Sequence, residues 1–320
     1  GIQVEDLKKK GRWDLLPFFL RLVACLKREQ PDVLYSFLPS ANILGLLAGR
    51  LAGVPKIIWG VRASNIDLSR YDWMSRFEPY IASMLSRFAD KIICNSEAGL
   101  KHHAKMGYPL ARMVVVENGI DTDRFRFDEV ARSRIRKQWN VRDEVFVVGI
   151  AARHDPMKDY ETFLRAASRL ASRMQNVRFV CVGEGRTAYT EKLRNMAEQM
   201  SLSSHVIWAG RCSDMAAVYS GFDIACSSSY GEGFSNAIAE AMSCERICVV
   251  TDVGDSARIV DHTGVIVKPG DPEELANAWE AVLCLPAEER ARQGKAARDR
   301  IVREFGIGMM VEKTGKELGL

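Results

Sequence analysis

The chain has 320 residues, 47% of them apolar and 27% charged. That is enough material for two domain cores and too little for three. No apolar run reaches the ~18–20 residues of a membrane span, because Arg21 interrupts the run from Leu15 to Leu26 and Arg50 the run from Ile43 to Val54. The net charge of +4 is small but uneven, roughly +6 over residues 1–110 and −2 over 111–320. Such an excess can favour an anionic surface or substrate, but at this modest size a plain solvated face is the first reading.

The first residue is Gly1 rather than Met, and Gly1 to Val4 is strand-like, so an upstream segment is expected. From Arg12 to Arg21 aromatic and basic residues mix, including Trp13, Phe18 and Phe19. That suits a membrane surface as well as a helix buried against its own sheet. β-branched runs at 32–37, 56–59, 91–95 and 113–117 predict strands with helical patterns between most of them, the punctuation of a parallel α/β sheet. The polar, Arg-rich stretch 121–143 interrupts this rhythm and is read as the connection between domains 1–124 and 125–320, with the linker over 125–143.

A second series follows, with strands predicted at 145–150, 177–182, 205–208, 223–226, 247–250 and 264–267. Helices are predicted at 160–174, 188–200, 236–244 and 272–285, the last with Pro272 in its first turn. The second part is thus a complete doubly wound domain, and the first has too few strands to be one. The eight cysteines form no C-x-x-C pair, and Cys94, Cys181 and Cys248 lie in apolar runs, the pattern of reduced thiols in a cytosolic core. No secretory signal is visible.

Ligands of open α/β sheets bind at the carboxyl ends of strands, and four strand-end loops carry candidate chemistry. Ala151 to Asp159 places Arg153 and Lys158 just ahead of a helix, a set suited to a diphosphate or to plain surface charge. Gly183-Glu184-Gly185 is a turn without the further glycine of a dinucleotide fingerprint. Trp208 to Asp214 could hold a nucleobase edge, or be an ordinary connection with Asp214 capping the next helix. The sharpest is Tyr230 to Glu240, where Glu232 lies between glycines and Glu240 stands about two turns on, on an otherwise apolar helix. Paired carboxylates suit the hydroxyls of a sugar and a ribose, and the glycines let backbone amides approach phosphate.

Glu232 to Met242 is similar to the E-x7-E signature of family 4 glycosyltransferases, E-G-F-S/P-N-x-x-x-E followed by A-M. Asn118-Gly119-Ile120-Asp121, Arg153 with Lys158, Gly183-Glu184-Gly185 and Thr251-Asp252-Val253-Gly254 stand in that family's order, so the resemblance covers roughly the whole chain. It implies the GT-B fold, two facing Rossmann-like domains, here with the N-terminal one incomplete and the donor held by the C-terminal one. By resemblance Arg153 and Lys158 neutralise the donor diphosphate and stabilise the leaving nucleotide. Glu232 binds the transferred sugar and Glu240 the ribose. Gly233, Phe234, Ser235 and Asn236, with Gly183, Glu184 and Gly185, complete the donor-binding set, and Arg211 lies near the base.

The resemblance further implies retention of anomeric configuration without metal or cofactor, a UDP- or GDP-sugar being the substrate. The acceptor is a glycan or lipid-linked sugar in cell-surface polysaccharide synthesis, and nucleic acid is not a partner. The protein is then cytoplasmic, with peripheral contact at the inner face of the membrane. Rival readings are a non-catalytic nucleotide-sugar-binding domain and a nucleotide-sugar epimerase of similar fold.

The sequence departs from the family in three places. The family's opening strand and glycine-rich loop do not precede Gly1, corresponding to ~60–80 residues of a full domain. Where many members carry a His, this chain has Gly60 to Asn65, and Arg62 is the candidate to face the donor or acceptor there. The usual C-G-x-P is Cys244-Glu245-Arg246-Ile247. Asp121-Thr122-Asp123 is read as a turn and cap rather than a metal site.

Overall fold

The computed structural model of the protein describes residues 3–11, 14–62 and 73–319, with the backbone alone for 73–76. They form two compact units, the first running to Val116 and resuming at Lys313, the second spanning Glu117–Glu312.

In the first unit, β1 (Val33–Phe37), β2 (Lys56–Val61), β3 (Lys91–Cys94) and β4 (Met113–Val115) form a parallel sheet in the order β1-β2-β3-β4. Helices α1 (Leu15–Glu29), α2 (Pro39–Ala52), α3 (Trp73–Ser86) and α4 (Glu97–Lys105) alternate with them. The strands form because β-branched residues at 57, 58, 92 and 93 fit a pleated surface buried on both faces; Ile57, Ile58, Trp59 and Ile92 are fully enclosed. Helix α4 starts where Ser96 Oγ accepts the Gly99 amide at 3.0 Å.

Two expectations fail in this unit. Gln3 and Val4 are exposed and outside any strand, having no partner strand among the described residues; Gly1 and Ile2 lie outside those residues. Helix α1 is not buried against its sheet: Leu26 is its one buried residue, and Leu16 and Leu20 are 68% and 59% exposed. Arg12 and Trp13 lie outside the described residues.

The second unit holds a six-stranded parallel sheet of β5 (Phe146–Ala151), β6 (Val177–Val182), β7 (Val206–Gly210), β8 (Ile224–Ser227), β9 (Ile247–Thr251) and β10 (Val265–Val267), in the order β10-β9-β8-β5-β6-β7. Helices α5 (Glu129–Gln138), α6 (Tyr160–Arg173), α7 (Thr187–Gln199), α8 (Met215–Gly221), α9 (Asn236–Ser243), α10 (Ser256–Val260), α11 (Pro272–Leu283) and α12 (Ala287–Phe305) accompany it. Helix α13 (Ile307–Leu318) crosses the division between the units. Strand alternation feeds two cores: Val148, Ile150, Phe179 and Cys181 pack with Phe163 and Trp279, while Val147, Val180 and Val182 pack with Tyr219, Phe222 and Met242. A sheet buried on both faces needs the continuous apolar runs that the sequence carries.

The stretch read as a linker, 125–143, is not one. It contains α5, capped by Asp128 Oδ1 on the Ala131 amide at 2.9 Å. Arg132 and Arg136 of α5 bond Asp223 at 2.8 and 3.3 Å. Besides Ala131 and Ile135, which it buries, this helix is fastened by ion pairs and by bonds to backbone carbonyls, so its composition resembled a connection. The division falls at Glu117.

Candidate active site

Strand order sets the site. After β5 the chain moves outward through β6 and β7, then returns as β8 on the other side of β5. The crevice beyond the carboxyl ends of β5 and β8 is therefore the topological switch point, the usual ligand position in such sheets. A cavity of about 240 Å³ opens there, lined by Ile150–Ala152 at the end of β5, Cys226 and Ser227 of β8, Lys158, Ser229, Glu232, and Phe234–Ile238 leading into α9.

The two charged residues in the cavity are held by their loops. Asp155 Oδ1 accepts the Met157 amide at 2.9 Å, making a 3-10 turn over Pro156–Lys158. Asp159, at φ +44, caps α6 through the Thr162 amide at 3.1 Å. Ser228 Oγ donates to the Lys158 and Asp159 carbonyls at 2.9 and 3.0 Å, and the Tyr230 amide donates to the Met157 carbonyl at 2.8 Å. The Lys158 and Glu232 loops thus form one bonded layer, in which Lys158 Nζ donates to Glu232 Oε1 at 2.5 Å. Ser229 Oγ donates to the same oxygen at 2.8 Å. With side-chain exposures of 22% and 12%, the pair is reachable from solvent and sheltered enough for its charges to interact strongly.

Beneath Glu232 lies Thr251 to Gly254. The Asp255 amide donates to the Gly233 carbonyl at 3.0 Å and Thr251 Oγ1 to the Ser229 carbonyl at 2.7 Å. A Cβ on Gly254, at φ +59, would stand 2.2 Å from the Glu232 carbonyl oxygen, so only glycine allows this approach.

The Gly183-Glu184-Gly185 turn has a comparable packing role. A Cβ on Gly183 would stand 2.0 Å from the Ala152 carbonyl oxygen, and one on Gly185 2.1 Å from that of His154. The His154 amide donates to the Glu184 carbonyl at 3.0 Å, and the Gly183 amide to that of Gly210 at 2.8 Å, joining the ends of β5, β6 and β7. His154 is 6% exposed, packed edge-on against Tyr160 and Trp208, with Nδ1 2.9 Å from Thr190 Oγ1. Burial first, then the charge of Arg194, holds its pKa below the ordinary 6.5.

Helix α9 starts at Asn236, so Glu232 precedes it and Glu240 lies in its second turn, one turn beyond Asn236 and Ala237 on the same face. Glu240 accepts a hydrogen bond from the Tyr219 hydroxyl at 2.9 Å, and burial raises its carboxyl above the ordinary 4.5. It is neither in the cavity lining nor a freely solvated helix position. Asn236 Oδ1 accepts from Asn118 Nδ2 at 2.8 Å.

Lys158, Glu232, Phe234, Ser235 and Asn236 therefore share one cavity, and Gly233 joins the loop that forms it. Arg153, Glu184 and Arg211 have exposed side chains outside the lining, and neither arginine has a side-chain hydrogen bond or ion pair among the described residues. Arg62 lies in the first unit with its guanidinium 4.9 Å from the Phe37 ring; Ala63, Ser64 and Asn65 lie outside the described residues. Asp121 Oδ1 accepts the Arg124 amide at 3.0 Å, as the turn reading requires. Asp214 caps α8 through the Ala217 amide at 3.1 Å.

Sequence reasoning missed Ser227 and Ser229 in the cavity and Tyr219 beside Glu240. The run Ser227-Ser228-Ser229 at the end of a buried strand was the available signal for the serines.

A family model described as Glycosyl transferases group 1 matches residues 144–284, and one described as Glycosyltransferase Family 4 matches residues 2–124. The chain is 25% identical over 309 residues to the UDP-Gal:alpha-D-GlcNAc-diphosphoundecaprenol alpha-1,3-galactosyltransferase of Escherichia coli, covering 92% of this chain and 76% of that one. It is 23% identical over 312 residues to the capsular polysaccharide biosynthesis glycosyltransferase CapM of Staphylococcus aureus, covering 93% and 79%. Among solved structures, Anabaena HepE in complex with UDP-glucose superposes with a TM-score of 0.86 at 22% identity, over 97% of this chain and 84% of that one. Two family models that between them account for both units identify the chain as a glycosyltransferase of family 4, and the superposition on HepE gives it the GT-B fold.

Proposed function

We propose that this enzyme transfers a hexose, with retention, from a nucleoside-diphosphate sugar to a glycan or lipid-linked acceptor in cell-surface polysaccharide synthesis. The observation that carries the donor assignment is the Lys158–Glu232 pair, 2.5 Å apart in the cavity at the β5–β8 switch, beside the first turn of α9. When a donor enters, Lys158 turns to the diphosphate and Glu232 to the sugar hydroxyls. The α9 amides suit a phosphate oxygen, since Ser235, its cap residue, makes no side-chain cap hydrogen bond.

Arg153 supplies the second cation for the diphosphate, Arg211 stands toward the base, and Glu240 takes the ribose. Gly183 and Gly185 hold the Arg153 loop in place. Arg62 is assigned to the acceptor side. In the transfer, the acceptor oxygen bonds to the anomeric carbon on the face from which the diphosphate departs. The C–O bond to the diphosphate breaks, and a diphosphate oxygen receives the acceptor proton; cations at Arg153 and Lys158 stabilise that charge without a metal.

The printed ligands and names of the relatives support these choices. HepE was solved with UDP-glucose, and the Escherichia coli relative is named for a UDP-Gal donor and a diphosphoundecaprenol-linked sugar. A UDP-sugar is accordingly the first donor to test, and a lipid-linked acceptor suits peripheral placement at a membrane.

The test is UDP release from UDP-hexoses in the presence of a lipid-linked sugar, with the product anomer read by NMR. The Arg153→Ala, Lys158→Ala double variant should lose ~10²–10³ in turnover. UDP affinity and turnover indistinguishable from wild type would sink the diphosphate assignment, and an inverted product would sink retention.

A further inference from the structure

Tyr219 takes no part in the scheme above, yet its position is tightly specified. It lies in α8 at 2% exposure, its ring packed against Phe125 and Phe222 with centroids 6.2 and 6.1 Å away. Helix α8 is itself anchored by the Asp214 cap. The hydroxyl of a buried tyrosine needs a partner, and here it donates to Glu240 Oε2 at 2.9 Å. Oε1 of the same carboxylate has no hydrogen bond among the described residues.

We propose that Tyr219 is a positioning residue for nucleotide recognition: it pins one oxygen of Glu240 so that the carboxylate offers its free oxygen to the vicinal hydroxyls of the ribose. The inference rests on the ribose reading of Glu240. A glutamate has three rotatable side-chain bonds, and a hydrogen bond from a buried ring removes part of that freedom before the nucleotide arrives. The same bond stabilises the ionised carboxylate in a place where burial disfavours it. The charge of Arg124 acts in the same direction.

The experiment is calorimetric titration of the full chain with UDP and with 2′,3′-dideoxy-UDP, GDP and its dideoxy analogue being run in parallel. Tyr219→Phe, which removes one oxygen, should weaken UDP binding about ten-fold and leave dideoxy-UDP unchanged. In the Glu240→Gln background it should add no further loss. Phe125→Leu, which loosens the ring that carries the hydroxyl while leaving Glu240 intact, should show the same selectivity in smaller measure and serves if Tyr219→Phe does not fold. Equal losses on both nucleotides for Tyr219→Phe and Phe125→Leu, or no loss on UDP, would overturn the positioning role. If Glu240→Gln itself weakened both nucleotides equally, the ribose reading of Glu240 would fall, and the inference with it.

Discussion

Glu240 has opposed effects on folding and on binding. Burial raises its folded-state pKa above 4.5, although Tyr219 and Arg124 pull the other way. A raised carboxyl pKa contributes stability that is fully present below the unfolded value and is lost as pH rises through the folded one, so the ionised side chain is a cost at neutral pH. Glu240→Gln should therefore melt higher than wild type at pH 7, with the gain shrinking as pH falls through the raised folded-state value and gone below 4.5, while its UDP affinity falls. Thermal melts at the two pH values check this; a lower melting temperature at pH 7 would contradict it. At this scale the sequence displayed Glu232 and Glu240 because each breaks a local pattern, a charge among glycines and a charge on an apolar helix. Tyr219 breaks none. Its partner lies 21 positions away, and only the packing of α8 on α9 brings them together.

Strands were legible to within a residue or two, since each is a short β-branched run that must be apolar on both faces. Helix α5 was not, because its apolar stripe is reduced to Ala131 and Ile135, and Arg132 and Arg136 fasten it through Asp223. Its Asp128-Glu129 start was the missed signal. The turn after α9 is the second lesson. Glu245 sits at φ +61, a left-handed position that glycine adopts at no steric cost and that follows many helices. The Cys244-Glu245 departure from C-G thus strains one residue and leaves the preceding loop in place. Replacing Glu245 by Gly should stabilise the unit by ~1 kcal/mol, or about 2–4 °C for a domain of this size. Differential scanning calorimetry would detect it, and an unchanged or lower transition would refute the strain argument.

Charge is divided between the units. The first carries 19 Lys and Arg against 11 Asp and Glu, the second 26 against 30. Exposed Lys8, Lys9 and Lys10 precede α1, whose Leu16 and Leu20 also face outward, an arrangement that supports the proposed peripheral membrane contact. At ~1 kcal/mol per lysine near an anionic surface, changing all three to Gln should weaken binding to phosphatidylglycerol vesicles about a hundred-fold. Co-sedimentation at low and high salt would measure this, and salt-independent binding would refute it. The free thiols of the described residues provide a way to watch each unit separately. Burial pushes Cys94 and Cys244 up to about 12 and raises Cys181, Cys226 and Cys248 as well; Cys25 and Cys212 are half-exposed and Cys284 exposed. Because the thiolate is the reactive form, a maleimide should modify Cys212 and Cys284 of the native chain readily and Cys25, whose thiol burial and the Glu5 carboxylate raise, more slowly. The other five should react only as their surroundings open, Cys94 timing the first unit and the remaining four the second. Mass spectrometry across a denaturant series would then time the opening of each unit without any introduced label site.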